Sequence, residues 1–177
     1  MHKYLASALV LAFCAGSAFA ADDVASAAVV TVKTIDRGAK TAVVKTGEGT
    51  EYTVHFAGTT IEHGAKATGM GAKDAFQGLK EGDEVVIHYT EKGTVKTAEE
   101  VDHVGKDGLK GTVVAVKSVD RAAKTVTVKT AEGGEETYHL TDRAMKETAK
   151  GVGKAGKVTV YYTEDAGKKI AHYFKEG

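Results

Sequence analysis

VVTVKTIDRGAKTAVVKTGEGTEYTVHF, residues 29–56, and VVAVKSVDRAAKTVTVKTAEGGEETYHL, residues 113–140, are the same segment written twice. At an offset of 84 positions, 17 of the 28 aligned residues are identical, where average residue usage gives roughly 6–7% by chance. One unit has been duplicated, which predicts two domains in a chain of 177 residues. Both copies alternate apolar and polar residues with period two. Val126 and Val128 stand against Thr125, Thr127 and Lys129, and Val158, Val160 and Tyr162 against Thr159 and Tyr161. In copy one Ala42 and Val44 stand against Thr41 and Lys45, and Val85, Ile87 and Tyr89 against Val86 and His88. This is the pattern of strands with one buried face. Turns separate them at Asp36-Arg37-Gly38-Ala39-Lys40 and Gly47-Glu48-Gly49, and again at Asp120-Arg121-Ala122-Ala123-Lys124 and Glu132-Gly133-Gly134, so the strands form hairpins.

The parity fails at one place in each copy. Val30 and Val32 share a face, yet Ile35 is also apolar, and Val114, Val116 and Val119 repeat the slip. A bulge belongs there, of the kind that bends a sheet toward closure. After three strands each copy places a short helical segment, Ala72 to Leu79 and Asp142 to Ala149, and two more strands follow. The expected fold is all-β with one short helix per repeat: two tandem five-stranded OB-like barrels, each β-β-β-α-β-β.

Residues 1–20 read as a cleavable export signal, with a basic start, an apolar run from Tyr4 to Phe13 and Ala18-Phe19-Ala20 before the cut. The run is too short to span a bilayer, and Phe13 before Cys14 departs from a lipid-attachment site. A periplasmic or secreted location follows, with cleavage after Ala20. Residues 21–27 are expected to be a flexible leader, 28–104 the first barrel, 105–108 a linker and 109–177 the second barrel. Four linker residues reach at most about 14 Å, so the barrels must be neighbours. Cleavage removes the only cysteine and leaves 23 basic against 24 acidic residues. That excludes thiolate chemistry and any global field for polyanions.

The alignment resumes with Tyr89-Thr90-Glu91 against Tyr162-Thr163-Glu164 at an offset of 73, so copy one holds 11 extra residues. The surplus lies within Gly58 to Gly82. A partner-binding loop is expected there, with Glu62, His63 and Met70 contacting an envelope protein or glycan.

Val-Val-x-Val-Lys-x-x-Asp in both copies, a Thr-Val-x-Val strand and Leu79-Lys80-Glu81-Gly82-Asp83-Glu84-Val85 resemble small extracytoplasmic bacterial OB-like domains, among them the CusF-like periplasmic copper and silver chaperones. The resemblance implies a barrel fold and export. That family holds a monovalent ion with a histidine, two methionines and a stacked tryptophan. Here tryptophan is absent, and each copy has one methionine, Met70 or Met145, outside any matching strand motif. The family's metal chemistry does not carry over.

Histidine supplies the alternative function, a periplasmic copper- or zinc-binding protein using surface imidazoles. His55 and His139 are equivalent outward strand positions, His63 and His88 add ligands, and His103 and His172 are further partners. No two lie at i, i+2 or i, i+4.

The remaining classes lack their machinery. Lys33, Lys40 and Lys45 with Lys117, Lys124 and Lys129 have few interleaved aromatics, which argues against nucleic acid. Ser26 and Ser118 have no histidine placed to activate them. Glu99-Glu100 and Glu135-Glu136 are neighbours that strand alternation sends to opposite faces. The expected protein is non-catalytic, has no organic cofactor and does not span a membrane.

Overall fold

A computed structural model describes residues 24–63, 75–148, 152 and 156–176. The first copy comprises β1 (Val24–Asp36), β2 (Thr41–Thr46), β3 (Glu51–His63), α1 (Ala75–Gly78), β4 (Glu84–Lys92) and β5 (Val95–His103). The second comprises β6 (Lys110–Asp120), β7 (Thr125–Thr130), β8 (Glu135–Leu140), α2 (Asp142–Thr148), β9 (Lys157–Asp165) and β10 (Lys168–Glu176). Each copy is a closed barrel, ordered β1-β2-β3-β5-β4 and β10-β8-β7-β6-β9. β3–β5 and β8–β10 run parallel, and the other neighbours are antiparallel. The barrels are all-β with small helices, in the order read from the sequence.

The alternation fills each interior. Val30, Val32, Ala42, Val44, Val54, Val85, Ile87 and Val101 pack in one core, and Val114, Val126, Val128, Tyr138, Val158 and Val160 in the other. The first-strand bulges fall where parity broke, with register shifts between Val32 and Thr34 and between Val116 and Ser118. Ile35 and Val119 thereby turn back onto their cores. At the hairpin tips Asp36 Oδ1 and Asp120 Oδ1 accept from the amides of Ala39 and Ala123, both at 2.9 Å. Lys40 and Lys124 close the turns at positive φ, 52° and 50°.

Two boundaries differ from expectation. Residues 24–27, assigned to the leader, are the first rungs of a ladder in which Val24 to Ala27 face Glu91 to His88. Backbone pairing against β4 orders them. The surplus of copy one begins as strand: β3 resumes pairing with β5 beyond an irregularity between Phe56 and Ile61. Thr60 stitches that break, its hydroxyl accepting from Ala57 N at 3.1 Å and donating to Ala98 O at 2.7 Å. Glu62 and His63 are therefore strand residues, and the expected binding loop is corrected at both. Met70 lies outside the described residues, as do residues 72–74 and 149 of the expected helices.

A second bulge in each copy is decisive for the site. β4 pairs His88 with Glu100 but Tyr89 with Ala98, which leaves Glu99 extra, and β9 pairs Tyr161 with Tyr173 but Tyr162 with Ala171, which leaves His172 extra. These are equivalent positions at the offset of 73. Between the barrels Val86, Leu109 and Tyr161 form a third buried cluster with Val29, Val104 and Tyr173 against it. No described helix is long and apolar enough to cross a membrane.

Candidate metal centre at the barrel junction

The face of barrel one that meets barrel two is polar at its middle. β5 places Asp102 and Glu100 there, β4 places His88, and the end of β3 places His63 level with Asp102 across the parallel pair. His88 and Asp102 are 3% and 0% exposed. His88 was expected among surface histidines, and this is corrected: its strand face is outward from its own barrel but covered by the other, with Tyr173 edge-on at 6.2 Å between ring centres.

His63 Nδ1 stands 2.9 Å from Asp102 Oδ1 and 3.2 Å from Glu100 Oε1. His88 Nε2 lies 3.4 Å from Asp102 Oδ2, and from barrel two His172 Nδ1 lies 4.0 Å from the same oxygen. Ligand atoms of His63, Glu100 and Asp102 all fall within 4.8 Å of one another. A tetrahedral ion with bonds near 2.1 Å separates its ligand atoms by roughly 3.4 Å, so the spacings suit one ion after small side-chain shifts. The His63 side chain is 48% exposed, which gives an ion a way in.

The charges explain why the cluster persists. Burial pushes the Asp102 carboxyl up, but hydrogen bonds from His63 and His88 and the fields of His172 and His88 outweigh it and hold it at about 2. The bond to Asp102 raises His63 above its ordinary value despite burial. Burial lowers His172, with Asp102 and Glu100 pulling the other way. The second nitrogen of His172 faces the Thr163 hydroxyl at 3.0 Å. In the tautomer that donates Nε2–H to Thr163, Nδ1 carries a lone pair aimed at Asp102. Asp102 Oδ2, His88 Nε2 and His172 Nδ1 are all buried, with His88 the nearer imidazole to that oxygen at 3.4 Å.

Arg143, at the start of α2, closes the junction. Its guanidinium reaches Glu99 Oε2 at 2.6 Å and also holds Glu100 Oε2. Strand alternation had placed Glu99 and Glu100 on opposite faces, and the bulge at Glu99 corrects that by letting one arginine take both.

The other expected residues are elsewhere. His55 and His139 are exposed on strands β3 and β8; like His88 and His172, they stand outside the three-residue group of His63, Glu100 and Asp102 among the described residues, and unlike those two they make no approach to Asp102. Glu62 turns to the opposite side of β3 from His63 and meets His103 Nε2 at 2.7 Å. It also crowds Gly78, where any Cβ would collide with its carboxylate. The sequence reading missed Asp102, Glu100 and Arg143. A signal for the bulge was present: Ala98 and Val101, like Ala171 and Phe174, are inward residues three apart, the offset seen at Val32 and Ile35.

Fold and cluster together define an OB-like tandem barrel with an imidazole–carboxylate junction. Among solved structures, a copper(II)-bound tryptophan-to-alanine variant of CusF from Escherichia coli is similar at 14% identity with a TM-score of 0.35, over 46% of this chain and 92% of that one. No family model matches the chain, and no curated protein is similar to it.

Proposed function

We propose that this is an exported protein that binds one divalent transition-metal ion, zinc or copper(II) in character, at the junction of its barrels. The observation that carries the reading is the convergence of imidazole nitrogens from His63, His88 and His172, at 2.9, 3.4 and 4.0 Å, on the one buried carboxylate of Asp102. A buried carboxylate ringed by imidazoles is a donor set that a divalent cation bound among them satisfies. Imidazole and carboxylate suit zinc, copper(II) or nickel, whereas copper(I) prefers thiolate and thioether. The geometry favours this over recognition of a protein or glycan through the copy-one surplus, because Glu62 and His63 are strand residues engaged by His103 and Asp102.

Calorimetric titration of the mature chain with Zn²⁺, Cu²⁺ and Ni²⁺ tests it. One ion per chain is expected with a Kd below 10 μM, about −7 kcal/mol, lost in Asp102→Asn. The reading fails if the folded parent binds no such ion that tightly. Ion at about 100 times Kd should add about 2.7 kcal/mol of stability, reversed by chelator in a thermal melt.

A further inference from the structure

We infer that the ion is shared between the barrels, with His172 of barrel two completing a ligand set otherwise built on barrel one, so that ion binding fixes how the two barrels sit. This rests on the reading of the junction as a metal centre. Three observations carry it.

The first is position. His172 is the bulge residue of β10, and the bulge is what turns its ring out of barrel two's own alternation and toward Asp102. Its ring centre lies 6.3 Å from that of His63, so a modest inward turn of the two rings would bring both onto one ion. The second is support. A ligating imidazole is usually oriented by a bond from its other nitrogen, and Thr163 on the neighbouring strand holds Nε2 at 3.0 Å. The third is the asymmetry of the duplication. At the offset of 73, His88, Glu100 and Asp102 correspond to Tyr161, Tyr173 and Lys175, and His172 corresponds to Glu99. Among the described residues barrel two thus has no equivalent cluster and brings His172 to the junction as its donor, while its Arg143 neutralises Glu99 and Glu100. One ion per two barrels is the stoichiometry this allows.

The full mature chain tests the inference, because its lack of cysteine permits two unique spin labels. Thr53→Cys and Thr137→Cys place nitroxides on exposed positions of β3 and β8, one per barrel. Addition of Zn²⁺ should narrow the inter-label distance distribution. His172→Gln should remove that narrowing and weaken Zn²⁺ binding at least tenfold. Electron spin-echo spectra of the Cu²⁺ form should lose one imidazole. Thr163→Val, which leaves every ligand in place, should weaken binding less, and unchanged thermal midpoints in chelator would show that both variants are folded. A parent that binds no ion overturns this inference together with the metal reading. A parent that binds while His172→Gln matches it in affinity and imidazole count overturns the bridge alone.

Discussion

Asp102 concentrates the electrostatics of the molecule in one side chain, and its acid behaviour can be worked out. Its folded value of about 2 lies below the ordinary 3.8. A lowered carboxylate contributes stability that is complete above the ordinary value and is lost as pH falls through the folded one. The metal-free protein should therefore lose roughly 2 kcal/mol between about pH 5 and pH 2 through this group. Denaturant titrations at pH 6 and pH 3 should show a smaller loss in Asp102→Asn, and an equal loss would refute the assignment. His63 acts with the opposite sign, since its raised value gives stability below its ordinary range that disappears as pH rises through the folded one. Arg143→Ala should also be informative. It leaves Glu100 buried beside Asp102 without its cation, so barrel association should weaken by about 1–3 kcal/mol, visible as lower denaturant resistance with an intact far-ultraviolet spectrum.

Strands and turns were the most legible elements because their signals are local. The bulges of β1 and β6 follow from Val32 with Ile35 and from Val116 with Val119, since apolar residues must stay inside when an extra residue is inserted. The bulges of β5 and β10 carry a fainter form of that signal, Ala98 with Val101 and Ala171 with Phe174, because their outward neighbours Glu99, Glu100, His172 and Tyr173 look equally at home on either face. The extension of β3 through His63 was illegible for another reason: Gly58 interrupts the strand pattern, and the pairing with β5 that resumes beyond it is tertiary. At the hairpin tips, Lys40 and Lys124 hold left-handed backbone that costs a side-chain-bearing residue about 1–2 kcal/mol relative to glycine. Lys40→Gly should raise stability by about 0.5–1 kcal/mol after the entropy of the freer unfolded chain is subtracted. Lys124→Gly should gain less, because it gives up the exposed pair with Asp142 at 2.6 Å. Thermal melts of the two variants check both the sign and the order.

Two small barrels joined in tandem share a third apolar cluster, and this decides how they unfold. Leu109, 1% exposed, sits just past the linker against Val86 and Tyr161. Leu109→Ala should cost about 2–4 kcal/mol. Calorimetry should then show one cooperative transition in the parent separating into two in the variant. A single unbroken transition would mean that the barrels are coupled chiefly through the polar cluster. That cluster could not be read from the sequence. His63, His88 and Asp102 lie on three neighbouring strands of barrel one, and the docking of barrel two, which no local pattern encodes, adds His172.

The bulge that presents His172 sits on the last strand, and that has a consequence in time. Chains emerge and fold from the N-terminus, domain by domain, so barrel one can be complete, with His63, His88 and Asp102 in place, while β10 is still undelivered. Because β10 pairs with both β8 and β9, His172 arrives only with the closure of barrel two. The finished cluster is therefore a record that both barrels have folded.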